Sequence, residues 1–150
     1  MLEQLNRHVD RWLPGEFQGK RDEILGEARD VLQAFARSDA YAELREAKIL
    51  GREVPFLMPW CFEGKKVGAG GGGEGLMEGR IDLLYKRDEK VWLADYKTDH
   101  ITEADAMKRA EAYREQARIY TEAVHHALGH RPAGFKIIFL RLGKAVPVVL

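Results

Sequence analysis

Two apolar runs, Leu76 to Tyr85 and Lys90 to Lys97, are joined by the short polar link Lys86-Arg87-Asp88-Glu89, and each run carries one carboxylate among apolar neighbours. The apolar content and the brevity of the link predict an antiparallel hairpin in which both strands are buried. Asp82 stands between Ile81 and Leu83, and Asp95 follows Leu93-Ala94. A lone carboxylate in such a place costs on the order of several kcal/mol unless a cation accompanies it. The hairpin therefore restricts both the fold and the chemistry.

In that hairpin the two carboxylates lie opposite one another or one pair apart, roughly 5 Å between Cβ atoms. At that separation they repel, and a divalent ion converts the repulsion into binding. Oxygen ligands without sulfur suit Mg²⁺ or Mn²⁺, whose coordination is completed by water and phosphate oxygens. Strand alternation puts Lys97, two residues beyond Asp95, on the same face as Asp95. Two carboxylates, a divalent ion and an ammonium group are what phosphodiester hydrolysis requires. The plainer alternative is a surface ion pair between Asp95 and Lys97, with Asp82 capping a turn.

The remaining segments imply helices around this hairpin. Leu2, Leu5, Val9, Trp12 and Leu13 recur at helical spacing until Pro14-Gly15, and Ile24, Leu25, Ala28, Val31, Leu32 and Phe35 repeat the pattern. A short helix over Tyr41 to Ala47 leads into an extended run, Glu53 to Phe62, which Pro55 and Pro59 place at a sheet edge or make irregular. Residues 64–75 hold a glycine run that reads as a flexible connection. Thr102 to Asp105 fits a capping box before one long helix, whose stripe Ala106, Ala110, Tyr113, Ala117, Tyr120, Val124 and Leu128 ends at Gly129. Strands over Phe135 to Leu142 and Ala145 to Leu150 close the chain. The expected fold is α/β, a mixed central sheet flanked by helices, as a single domain over 1–150 with a helical part over 1–50 and a core over 51–150.

Composition removes several functions. The chain has 24 Lys and Arg against 24 Asp and Glu, so no global positive field draws it to nucleic acid, and a local patch, a metal or a partner must do so. Cys61 is the lone cysteine, which excludes an internal disulfide and a cysteine-only metal or iron–sulfur site in this chain, and its aromatic flanks suggest a core residue. The one serine, Ser38, ends a helical pattern, which argues against a serine hydrolase. The absence of a membrane-span run or signal-peptide pattern predicts a soluble, cytoplasmic protein. Gly68 to Gly73 spells G-x-G-x-x-G but precedes a strand and lacks the Walker lysine, so no nucleotide cofactor is expected. His125, His126 and His130 near a helix C-terminus suit the helix dipole better than a zinc site.

The segment Gly79-Arg80-Ile81-Asp82 followed by Asp95-Tyr96-Lys97-Thr98, with Tyr113, Gln116 and Tyr120 on the later helix, resembles the RecB-like branch of the PD-(D/E)XK nucleases. These are the nuclease domains at the C-terminal end of RecB and AddA helicase–nucleases and related single-domain proteins. The resemblance covers His8 to about Leu140. It implies a restriction-endonuclease-like core, with Asp82 and Asp95 as metal ligands, the main-chain carbonyl of Tyr96 joining them, and Lys97 catalytic. Gln116 and Tyr120 would face the site or the DNA, or else be partly buried helix residues. The family's early-helix histidine ligand points to His8, and Glu53 in Arg-Glu-Val-Pro-Phe matches a Glu-x-Pro-Phe element near the site. The implied cofactor is Mg²⁺ or Mn²⁺, the implied partners are DNA and a helicase motor, and the function is that of an exonuclease module in recombination and repair. A standalone endonuclease or an inactive DNA-binding scaffold are the alternatives. The glycine run looks like an insertion before the Asp82 strand, and the cysteines that bind an iron–sulfur cluster in some relatives are missing.

Overall fold

The structure, a computed structural model, describes residues 2–60 and 75–150. Cys61, the motif-like glycines 68–73 and nearly all of the 64–75 connection lie outside the described residues, although Gly75 itself begins a strand. Four elements precede the sheet. These are helix α1 (Leu2–Trp12), a 3-10 turn (Gly15–Lys20), α2 (Arg21–Ala36) and α3 (Asp39–Glu46). The lone serine caps α3, since Ser38 Oγ accepts from the Tyr41 N–H at 3.3 Å and donates to the Phe35 carbonyl at 2.6 Å. That hydroxyl is spent on the backbone.

Five strands follow in the spatial order β1-β2-β3-β4-β5: β1 (Lys48–Trp60), β2 (Gly75–Arg87), β3 (Lys90–Lys97), β4 (Gly134–Phe139) and β5 (Lys144–Val148). The β2–β3 hairpin forms as expected, turning through Asp88 and Glu89, both at positive φ. β3 and β4 are parallel and every other pair is antiparallel, which makes the sheet mixed. A parallel pair needs a crossover, and helices α4 (Ala106–Glu111) and α5 (Arg114–Leu128) supply it. β1 begins at Lys48, five residues before Glu53, and the last two strands stop at Phe139 and Val148.

The sheet is covered on both faces. On one side Ile81, Leu93, Phe135, Ile137 and Phe139 pack against Ala106, Ala110, Ala117 and Val124, whose small side chains let α4 and α5 approach closely. On the other side Leu83, Tyr85, Ala94 and Ile138 meet Phe35 and Ala40 of α2 and α3. The N-terminal helical part is also tied down by charge. Glu43 Oε1 accepts from the buried Tyr85 hydroxyl at 3.1 Å and lies 2.5 Å from Lys136 Nζ. A partly desolvated group held on two sides anchors α3 to the sheet.

The single long helix expected over 106–128 is instead two helices. At Ala112 and Tyr113 the backbone N–H groups bond three residues back, to Arg109 and Ala110, before α5 resumes. An alanine stripe records spacing but not axis direction, so the break is invisible in the pattern. Its effect is to turn the Tyr113 hydroxyl onto Asp99 at 3.0 Å.

β1 and β2 continue beyond β3 as a two-stranded ribbon packed on α5. Gly79 lies across from Phe56, where an added Cβ would stand 2.5 Å and 2.6 Å from ring atoms of Phe56 and 3.4 Å from Tyr120. Phe56 and Tyr120 are themselves edge-to-face with centroids 5.3 Å apart, so the ring has little room to retreat. Gly79→Ala should cost about 1–3 kcal/mol in chemical denaturation through overpacking. A loss below the measurement error would mean that Phe56 rotates freely and that this glycine is not needed for packing.

Candidate active site

The ladder between β2 and β3 runs from Arg87↔Lys90 to Leu83↔Ala94 and ends there, where the next pair would be Asp82 opposite Asp95. At the same point β2 changes its orientation. Ile81 packs on the α4/α5 side, whereas Leu83, two residues on, packs on the α2/α3 side, contrary to strict alternation. β1 is irregular at the matching place, with Glu53 at a φ of 51° between the paired residues Arg52↔Leu83 and Val54↔Ile81. The β1–β2 register is unbroken across Glu53 and shifts only between Ile49 and Gly51, so the opening lies where the β2–β3 ladder ends and β2 switches faces.

Asp82 consequently reaches across the opening. Its Oδ2 accepts the Tyr96 N–H at 2.9 Å, replacing the ladder bond that β2 no longer supplies. In a strand the N–H and C=O of one residue point to the same side. The Tyr96 carbonyl is therefore directed into the same opening, while the Lys97 carbonyl points the other way and accepts from the Leu140 N–H at 2.9 Å.

Asp95 and Lys97 face the α4/α5 side, as alternation from Leu93 expects. Asp95 is buried at 3% exposure, and Gln116 on α5 donates from Nε2 to its Oδ1 at 2.7 Å. Its Oδ2 lies 2.5 Å from Lys97 Nζ yet makes no well-directed hydrogen bond, leaving a buried oxygen with a charge neighbour and open coordination. Two carboxylates and one ammonium leave one negative charge uncompensated within the trio. A buried, undercoordinated carboxylate oxygen, a second carboxylate and a main-chain carbonyl directed between them form an all-oxygen set that fits a hard divalent cation. The expected convergence of Asp82, Asp95 and Lys97 is present.

Burial raises the pKa of Asp82, opposed by the Tyr96 N–H bond and assisted by the charges of Asp95 and Glu53. For Lys97 burial acts downward, but the Asp95 carboxylate beside it prevails and the net shift is upward. Lys97 is thus a cation at neutral pH, suited to stabilising charge rather than to removing a proton. Its Nζ also lies 4.7 Å from the centroid of the Tyr113 ring, which orients the ammonium without neutralising it.

The other sequence candidates separate. Gln116 touches Asp95 directly, Tyr113 touches Lys97, and Tyr120 packs between Phe56 and Phe135 as a partly buried helix residue. Glu53 is near enough to influence Asp82, but its carboxylate is largely exposed and lies 3.4 Å from Arg80. His8 is exposed on α1, and among the described residues no three His, Cys, Asp or Glu side chains gather as a metal group, so His8 is not brought to the carboxylates here. Two residues escaped the sequence reading. Asp99 accepts from the Tyr113 hydroxyl and from Arg109 Nε at 2.9 Å, and together they brace the aromatic ring beside Lys97. Alternation from Asp95 through Lys97 pointed to Asp99; nothing in the helical spacing singled out Arg109.

A mixed sheet with helices on both faces, opened at an acidic pair with a lysine two residues on, defines the class to which restriction-endonuclease-like nucleases belong. The match to the family model for the PD-(D/E)XK nuclease superfamily spans residues 1–147, and the chain belongs to that superfamily. It is 24% identical over 140 residues, 86% of its length, to an ATP-dependent helicase/nuclease protein of Thermoanaerobacter sp. (strain X514). The protein of the same name from Staphylococcus carnosus is 26% identical over 117 residues, 73% of this chain. A shorter stretch of 71 residues, 47% of this chain, is 41% identical to that of Ligilactobacillus salivarius. The chain spans about a tenth of the length of these relatives, 10% for the first two and 6% for the third. Among the described residues no helix is long and apolar enough to cross a membrane.

Proposed function

We propose that residues 1–150 form one nuclease module that hydrolyses DNA phosphodiester bonds with Mg²⁺ or Mn²⁺, as the exonuclease part of a RecB/AddA-type helicase–nuclease working in recombination and repair in the cytoplasm. One observation carries the reading: Asp82, Asp95 and Lys97 meet where β2 leaves β3, with the buried Asp95 Oδ2 met by the Lys97 ammonium but by no well-directed hydrogen bond. Asp82, Asp95 and the Tyr96 carbonyl would hold the cation, and His8 would join only if α1 carried it to the sheet. Such a cation, when bound, lowers the pKa of water and withdraws charge from a phosphoryl oxygen.

The chain's own groups do the rest. Lys97 presents a positive charge to the oxygens that become more negative in the transition state, and being held by Asp95 and Tyr113 it needs no reorganisation at that moment. Gln116 keeps Asp95 in one rotamer by occupying Oδ1, leaving Oδ2 for ligation. Asp99 and Arg109 hold Tyr113 against the lysine.

The direct test is cleavage of end-labelled linear DNA and closed circular DNA with Mg²⁺, with Mn²⁺ and with EDTA. Linear DNA should be degraded from its ends in either metal, circular DNA spared, and neither cut in EDTA. Cleavage of the circle would replace the exonuclease by an endonuclease. Metal binding without cleavage of either would leave an inactive scaffold. The helicase partner is supported by the names of the relatives, and its motor would lie outside these 150 residues.

A further inference from the structure

Past the end of β3 a cavity of about 740 Å³ is lined by His100, Lys108, Arg109 and Arg141 together with Thr102 and Asp105. The carboxylates Asp82 and Asp95 do not line it. It opens at the carboxyl ends of the parallel strands β3 and β4, the place in an open α/β sheet where ligands are received.

Its four basic side chains are partly compensated: Asp105 lines the cavity with them, Asp99 pairs with Arg109, and Glu27 pairs with Arg141 and lies 4.0 Å from His100, which leaves Lys108 without an acidic partner among the described residues. Two of the four are fixed in position. Arg141 donates from Nε to the Thr98 carbonyl at 3.0 Å and from Nη2 to Glu27; Arg109 donates from Nε to Asp99 and from Nη2 to the Tyr113 hydroxyl at 3.2 Å. Each guanidinium keeps Nη1 without a hydrogen-bond partner among the described residues, and a preoriented fork with spare donors suits phosphate oxygens. Lys108 is exposed and enters no ion pair among the described residues, so its charge is free for a ligand.

Tyr113 joins this cavity to the site. Lys97 Nζ lies 4.7 Å and Arg109 Cζ 5.3 Å from the centroid of the same ring, so the two cations stand within about 10 Å of each other. That separation is short enough for one DNA strand to reach both cations within a few nucleotides.

We infer that this cavity binds a backbone phosphate of the DNA strand within a few nucleotides of the bond being cut, with Lys108, Arg109 and Arg141 as its donors. The inference rests on the nuclease reading for its substrate, but its test needs no cleavage. Binding of an end-labelled single-stranded oligonucleotide is measured in EDTA over a series of salt concentrations. Lys108→Glu should weaken binding by about tenfold and reduce the slope of log affinity against log salt by about 0.7, as loss of one phosphate contact on a single strand does. Lys108→Arg should restore the slope, and Lys90→Glu, at the hairpin turn, should leave it unchanged.

An unaltered slope in Lys108→Glu, or an equal change in Lys90→Glu, overturns the assignment. Its failure and that of the nuclease reading are separable. A wild-type protein that binds with the expected slope difference but never cleaves keeps this phosphate site and loses the enzyme. One that cleaves while Lys108→Glu binds normally keeps the enzyme and loses the site.

Discussion

Lys97→Ala should lower the rate of DNA hydrolysis by about 10²–10³, corresponding to about 3–4 kcal/mol of lost transition-state stabilisation, while the protein stays folded. The size follows from the role. Lys97 is held as an ammonium by Asp95 and oriented by the Tyr113 ring, so its charge is present before the reaction and is removed entirely by truncation. The lysine lies at the end of β3 and is partly exposed, so the variant leaves no void inside the sheet. Circular dichroism should stay near that of the wild type, while without metal the melting temperature should fall, because the buried Asp95 loses its ion-pair partner. Because the ammonium is the working form, the wild-type rate should not await deprotonation of Lys97 at alkaline pH. A variant cleaving within threefold of wild type under single-turnover conditions would remove the lysine from the mechanism.

Asp82→Asn should separate stability from activity. The amide oxygen can still accept the Tyr96 N–H, so the splayed geometry survives. Burial and the neighbouring carboxylates raise the Asp82 pKa, so the folded protein holds that proton more tightly than the unfolded chain does. Stability from this group is thus present below the unfolded pKa and lost as pH rises through the folded one. In metal-free buffer at neutral pH the wild type carries the cost of an ionised Asp82, and the amide variant should melt higher. With Mn²⁺ the order should reverse, because metal binding stabilises only the native carboxylate pair. Calorimetric affinity for Mn²⁺ should fall at least tenfold in the variant. In the wild type it should fall about tenfold per pH unit once the pH drops below the raised carboxylate value, since the ligand must be deprotonated. Equal Mn²⁺ affinities for variant and wild type would reject Asp82 as a ligand.

The hairpin and its two acids were legible from the chain because strand period and burial cost are local properties. A carboxylate between Ile81 and Leu83 and another after Leu93-Ala94 demand a cation in any sheet that buries them. The family resemblance likewise placed Gln116 and Tyr120 near the site or the DNA, yet it could not separate the two. These two are one turn apart on the same helix, but Gln116 reaches Asp95 while Tyr120 packs between Phe56 and Phe135. His8 shows the opposite limit. A helical histidine can be placed on its own helix by pattern, but whether α1 lies on the sheet or on α2 is set by packing between distant segments.

Sequence by itself thus determined which residue types share the site and which strands carry them, since alternation and the desolvation of charge act within a few residues of each group. Only the tertiary structure decided that β2 rolls away from β3 at Asp82, that the Tyr96 carbonyl is left facing the opening, and that Tyr113 stands between Lys97 and Arg109. Those features arise from contacts between elements up to dozens of residues apart, where the positive φ of Glu53 and the break between α4 and α5 are stabilised by packing that no local pattern encodes.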